Sequence, residues 1–189
     1  MTLKRYAGHL LAANPKNPKD ELSKSVILLV THGDDLAIGL QINYPLGDGT
    51  LQSVAGALGI PIDGEDPLWC GGGQSQGKVH VIHSSDWMSS SSVMVGKNLA
   101  VTNDISVLAA LSENCGPEFY RACAGHWVWN GKDLDLGLTS QKNQFPGMHI
   151  TRRWEAIPAT PELIFNSSGE DQWHQVLQAS TRHQVSSWF

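Results

Sequence analysis

A chain of 189 residues suits one domain, and about 70% of its unfolded surface can be buried without a disulfide or metal staple. Its 41% hydrophobic and 16% charged residues are ordinary for a globular protein, and a net charge of −5 with scattered Lys and Arg weighs against nucleic acid as a partner. No run approaches the roughly 18 apolar residues a membrane span needs.

The apolar segment that follows Lys4 and Arg5, AGHLLAA, is interrupted by His9 and ends at Asn14-Pro15, too short for a secretory signal. GHLLAAN (8–14) and SVILLVTH (25–32) read as strands bounded by Pro, Gly or Asn. AIGLQIN (37–43) alternates as a half-buried strand does, and His32-Gly33-Asp34-Asp35 supplies a turn, so residues 25–43 are predicted to form an antiparallel hairpin. Thr50 is placed to cap a short helix through Leu51, Val54, Ala55 and Leu58, stopped by Gly59. After an acidic loop, 63–67, come strands in LWC and KVHVIHS, with a Gly-rich turn predicted between them. A serine run, 89–92, precedes an extended pair within 93–102. A helix then starts where Thr102 or Asn103 caps Asp104-Ile105 and runs to Leu111. Within 118–138 a buried strand is expected near ACAGHWVW, and 139–151 reads as a surface loop. The tail offers WEAIP, PELIF and a helix with Trp173, Val176 and Leu177 on one face. Early strands with irregularly placed helices give an α+β fold of mostly antiparallel pairing, in one domain over residues 1–189.

The stretch GGQSQGKV (72–79) spells two catalytic patterns at once. Gly72–Lys78 matches G-x-x-x-x-G-K of a phosphate-binding loop, but Val79 stands where magnesium needs a hydroxyl, and a strand follows where a helix should begin. Gly73–Gly77 matches the G-x-S-x-G elbow of hydrolases, which also requires a helix after the serine. A serine hydrolase using Ser75, with Asp104 and His126 as nominal partners, is therefore the secondary reading.

His80 and His83 lie three apart, on opposite faces of a strand, and no close-spaced set of four Cys or His ligands is present. No metal or other cofactor is implied. Asp34-Asp35 and Asp133/Asp135 are explained by a turn and a solvated face, while Trp127 and Trp129 share a strand face suited to core or groove lining. Cys70, Cys115 and Cys123 follow no disulfide or C-x-x-C spacing, which points to reduced thiols and a cytoplasmic location.

A series of patterns in fixed order goes further. Gly8–Ala12 is followed by His32-Gly33-Asp34-Asp35-Leu36-Ala37-Ile38-Gly39-Leu40-Gln41-Ile42-Asn43-Tyr44-Pro45-Leu46. Cys70-Gly71-Gly72-Gly73-Gln74, Val81-Ile82-His83-Ser84 and Leu99-Ala100-Val101-Thr102-Asn103-Asp104-Ile105 come next, then Gly116-Pro117, Ala124-Gly125, Trp154, Ile164-Phe165 and Trp173. Together they resemble the YqgE/AlgH family of bacterial proteins over about residues 7–180. Cys70 and Gly73-Gln74 replace the outer positions of that family's aromatic-Gly-Gly-Pro-Val turn, and Ala122–His126 departs from its Gly-Tyr-Ala-Gly-Trp stretch, so this is a divergent member.

The resemblance implies strands bent into a pseudo-barrel with flanking helices. About function it implies little: one relative is named as a regulator of alginate production, yet the family has no obvious DNA-reading module. The leading reading is therefore a non-enzymatic cytoplasmic protein that binds an unknown protein partner or small ligand, with a regulatory role in view. Gly39, Asn43, Gly71, Gly72, His83, Thr102 and Asp104 match the family pattern and are the candidate groove; as ordinary structure they would serve turns and a helix start.

Overall fold

The computed structural model describes residues 6–16, 21–139, 141–142, 149–150 and 152–186. The first strands, β1 (His9–Ala13), β2 (Val26–His32) and β3 (Ala37–Gln41), form the expected antiparallel ribbon, with Leu10 opposite Leu28 and Leu28 opposite Leu40. Their near-continuous apolar runs have a physical reason. Leu10, Ala12, Val26 and Leu28 point into one core, while Leu11, Ala13, Ile27 and Leu29 point into another on the opposite face. Period-two alternation divides a two-sided strand between two apolar layers, so no polar face is needed.

β4 (Pro45–Thr50) leads into α1 (Leu51–Ala57), whose first turn is capped by Thr50 accepting the Ser53 amide at 3.2 Å. Beyond α1 come β5 (Pro67–Cys70), β6 (Gln74–Ser84), β7 (Val93–Met94), β8 (Leu99–Thr102), α2 (Ser106–Ser112), β9 (Tyr120–Trp129) and α3 (Gly131–Leu138). Two short strands, β10 (Gln141–Lys142) and β11 (His149–Ile150), pair with each other, and the chain closes through β12 (Trp154–Pro158), α4 (Pro161–Phe165) and α5 (Gly169–Ser186).

Among the described residues, ten strands share one sheet in the order β12-β1-β2-β3-β9-β6-β8-β7, all antiparallel along that path, with β4 and β5 attached to the side. This sheet curls into a half-barrel flanked by helices, an α+β fold. Ile164, Trp173 and Val176 of α4 and α5 close the concave core over Ile42, Ile82, Leu99 and Cys123. Leu134 and Leu138 of α3 cover the second core with Trp154. α1 and α2 cover a third through Leu51, Ala55, Val107 and Leu108, against Val81 and Ala122.

Several expectations are revised. The Gly-rich turn is confined to the residues between Cys70 and Gln74, and Gln74–Val79 belongs to β6. β5 and β6 do not pair with each other: both pair with β9, β5 in parallel. α2 has Ile105 at its N-cap without a side-chain bond; Asp104 does the capping instead, accepting the Ser106 amide at 2.9 Å. Thr102 is turned away because its hydroxyl accepts the Asp104 amide. α3, capped by Asn130, emerges from the ambiguous 118–138 stretch, with Asp133 in its first turn. Of the loop expected over 139–151, residues 140, 143–148 and 151 lie outside the described residues, and the β10–β11 pair occupies part of the rest.

The three cysteines are unpaired. Cys115 is exposed, Cys70 is half-buried with its thiol pushed up by burial, and the fully buried Cys123 thiol is pushed up to about 12 by burial. Because the thiolate is the reacting form, an excess of Ellman's reagent is expected to report one equivalent of thiol quickly (Cys115), a second more slowly (Cys70), and the third (Cys123) only after denaturant is added. Fast labelling of all three in the folded chain would contradict this burial.

Candidate functional site

The structure divides the seven candidate groove residues into two groups. Gly39, Asn43, Gly71 and Gly72 hold the framework. A side chain at Gly39 would stand 2.5 Å from Ile27 Cγ2 and 3.0 Å from Trp129, so the strand crossing requires glycine there. Asn43 is fully buried; it accepts the Val26 amide at 2.9 Å and donates to the Lys24 and Gly169 carbonyls at 2.9 and 3.0 Å. Gly71 donates to the Ala124 carbonyl and accepts from the Gln41 amide, both at 2.8 Å, tying the end of β3 to β9. Gly72 lies against the backbone of His126 and Trp127.

His83, Thr102 and Asp104 come together, joined by the serine run. The fully buried His83 ring places Nδ1 2.9 Å from the Ser84 carbonyl, which can only accept, so Nδ1 carries the proton and Nε2 accepts from the Ser92 hydroxyl at 3.3 Å. Hydroxyl contacts then run from Ser92 to Ser89 at 3.1 Å, from Ser89 to Thr102 at 3.2 Å and from Thr102 to Ser91 at 3.2 Å. Ser91 finally donates to Asp104 Oδ2 at 3.3 Å. Trp87 closes on the imidazole edge-to-face, 5.4 Å between centroids.

A His–Ser contact invites a catalytic reading, but the Ser92 oxygen also accepts the Ser89 amide at 3.0 Å, and His83 is sealed from solvent. The chain of hydroxyls is a polar clamp: it fastens the 89–92 turn to β8 and sets the position of Asp104. Hydrogen bonds from Ser106 and the serines hold the Asp104 carboxyl below its usual range.

Asp104 borders a groove of about 630 Å³ between α1, the middle of β6 and the start of α2. Its walls are apolar, with Val54 from α1 and Leu58 at its C-cap, Val79 and Val81 from β6, and Ile105 at the N-cap of α2 with Leu108 inside it. Ser53, Lys78, Asn103 and Asp104 supply the polar groups. Leu58 and Ile105 are more than half exposed, at 55% and 53%, so large apolar side chains face the opening. No linear pattern points to this groove, because Leu58 reads as a core position of its helix and Ile105 as the first apolar residue of the next.

The catalytic patterns resolve as backbone. Gly77 and Lys78 line the groove from a strand, not from a loop that opens into a helix. Ser75 has positive φ (52°) at the irregularity where β6 shifts register against β9, is exposed, and its hydroxyl has no hydrogen-bond partner among the described residues. Elbow chemistry needs a base within hydrogen-bond reach of that hydroxyl, and none is bonded to it. His80 and His126 meet edge-to-face at 5.4 Å, and among the described residues no three His, Cys, Asp or Glu converge on a metal position. Trp127 and Trp129 stack at 6.4 Å and pack against the second core, away from the groove.

The AlgH-like family model, a domain family of unassigned function, matches residues 10–183. The chain belongs to the AlgH-like family. A UPF0301 protein of Methylococcus capsulatus is 30% identical over 174 residues, covering 91% of this chain and 90% of that protein. One from Vibrio cholerae is 28% identical over 177 residues, covering 90% and 89%. Among solved structures, the solution structure of AlgH from Pseudomonas aeruginosa superposes with a TM-score of 0.72 at 24% identity, covering 96% of this chain and 92% of that one. The crystal structure of DIP2367 from Corynebacterium diphtheriae gives 0.67 at 18% identity, covering 95% and 89%. The AlgH-like half-barrel is thus shared with both, while the groove and clamp are described by this chain's own side chains.

Proposed function

We propose that this AlgH-like chain is a cytoplasmic binding protein that works without covalent chemistry, taking a small amphipathic ligand, or an apolar side chain of a protein partner, in the groove between α1, β6 and α2. The groove itself carries the reading. Its apolar walls with a few fixed polar groups at the edge are the composition of ligand sites, and its exposed Leu58 and Ile105 gain most from being covered. The unpaired cysteines agree with a reducing compartment. A regulatory role would act through occupancy, since α1 and α2 both border the groove and both pack on the third core.

The test titrates decanol, a neutral amphipath, into isotope-labelled protein. Saturable shifts are expected in amides of residues 53–58, 77–81 and 103–108, abolished by the pair Leu58→Asp and Ile105→Asp, both at exposed positions. A ligand present at a hundredfold excess over its Kd stabilises by about 2.7 kcal/mol, a melting shift of roughly 5–10 °C. Shifts scattered elsewhere, or undiminished in the double variant, would refute the assignment.

A further inference from the structure

A smaller cavity of about 260 Å³, bordered by Leu51 at the start of α1, shares no lining residue with the groove. Its wall includes Arg121, only 6% exposed, on β9. Both Nη1 protons are used, one by the Ile42 carbonyl and one by Gln172 Oε1 at 3.1 Å, and Nη2 donates once, to the Ser167 carbonyl at 3.1 Å. The Nε proton and the second Nη2 proton have no acceptor among the described residues. No carboxylate pairs with the guanidinium among those residues either, so a buried positive charge is held only by neutral oxygens and the Trp69 face, 4.0 Å away. A buried charge without a counter-ion is costly, and burial pulls this guanidinium down to about 10.

The rest of the wall selects the ligand. Phe119 and Phe165 stack at 5.9 Å, with Phe119 46% exposed, and Trp69 adds a third aromatic surface. Asp66 is fixed in the same wall, accepting from the Tyr120 hydroxyl at 2.8 Å and from Gln52 at 3.0 Å, and Glu118 also lines the cavity. A polyanion such as a phosphate ester would be repelled by those two acids. One negative charge can meet Arg121 while an apolar body avoids them. We propose that this cavity binds a monocarboxylate with an aromatic or bulky apolar body, its carboxylate taking the two unused Arg121 protons and its body lying between Trp69 and Phe119. A guanidinium fork matches a carboxylate in this two-proton way. Such a group has two sources, a free acid or the C-terminus of a partner protein ending in an aromatic residue.

The experiment titrates phenylacetate into isotope-labelled protein and follows the Trp69 indole proton and the Tyr120 and Arg121 amides. Benzylamine and phenyl phosphate are the charge controls. A short peptide ending in phenylalanine, with a free or an amidated C-terminus, tests the second source. Saturable shifts with phenylacetate or the free-terminus peptide, and none with benzylamine, phenyl phosphate or the amide, are expected. Whichever of the two binds more tightly names the source. Phe119→Ala, at an exposed position that leaves the fold intact, should weaken binding about 3- to 10-fold. Arg121→Lys should weaken it at least as much, read against that variant's own unliganded spectrum, because the guanidinium stacks on Trp69 and its loss moves the indole signal by itself. Equal shifts with the amine or the phosphate, or a silent Trp69 with both carboxylates, would overturn the proposal. The decanol result bears only on the groove, so the two assignments stand or fall separately.

Discussion

Asn43→Ala should lower the free energy of unfolding by about 3 kcal/mol, seen as a lower urea midpoint with an unchanged slope. The side chain is fully buried and makes three hydrogen bonds that join the start of β2, the Lys24 turn and the first residue of α5. Its own carbonyl accepts the Gly169 amide as well, so the backbone is fixed from the same point. Each bond contributes about 1 kcal/mol, and the loss leaves the Val26 amide buried without its acceptor. Asn43→Asp should be no better. It restores the acceptor for Val26 but faces the Lys24 and Gly169 carbonyls with an oxygen where a donor is needed. Were Asn43 a ligand contact and nothing more, alanine would leave the midpoint in place and change only the response to ligand; a loss under about 1 kcal/mol would favour that role.

Gly125→Ala should be at least as damaging, about 3 kcal/mol or more, read in the same urea series. Gly125 has φ +71°, and a Cβ there would stand 2.5 Å from the Gly72 carbonyl oxygen and 2.7 Å from that of Gln74. The left-handed backbone costs roughly 1–2 kcal/mol for any residue with a side chain, and overpacking against backbone that cannot step aside adds about 1–3 kcal/mol. Gly77→Ala is the matched control from the same Gly-rich stretch, because nothing lies within 4 Å of its added carbon. It should change stability by less than about 0.5 kcal/mol. If both glycines tolerated alanine equally, the close approach of the turn before β6 to β9 would not be what fixes Gly125.

Where one kind of period governs a segment, the sequence was readable. β1, β2, β3 and β12 follow from short apolar runs bounded by breakers, and α1 from Thr50, an i, i+3, i+4 pattern and Gly59. The family pattern of residues added the curled sheet, which no local period specifies. What stayed hidden depends on pairing across long separations. That β5 runs parallel to β9, with Trp69 opposite Cys123, is decided by where the chain returns more than fifty residues later, and nothing within PLWC encodes it. The 89–92 serine run carried no period at all, yet it brings three of the candidate residues into contact; four small hydroxyls close to a buried histidine are a signal only when β8 is known to lie alongside. Arg121 was likewise passed over, since one arginine in an apolar strand reads as an interruption until three dimensions show no carboxylate paired with it among the described residues.

β9 joins the two halves of the sheet: no strand of β12-β1-β2-β3 pairs with any of β6-β8-β7, and β9 alone pairs with β3 on one side and β6 on the other. A ribosome making this chain therefore delivers the keystone late. Until Trp129 has been made, Ala37 has no strand partner on that side, and the β6 ribbon, complete by Thr102, has nothing to close against. Loop closures of this span set a slow assembly step, and in the interval the inner edges of both ribbons, β3 and β6, stand open to water and to other chains. The order of synthesis makes the nascent protein's most vulnerable moment the last stretch before its central strand arrives.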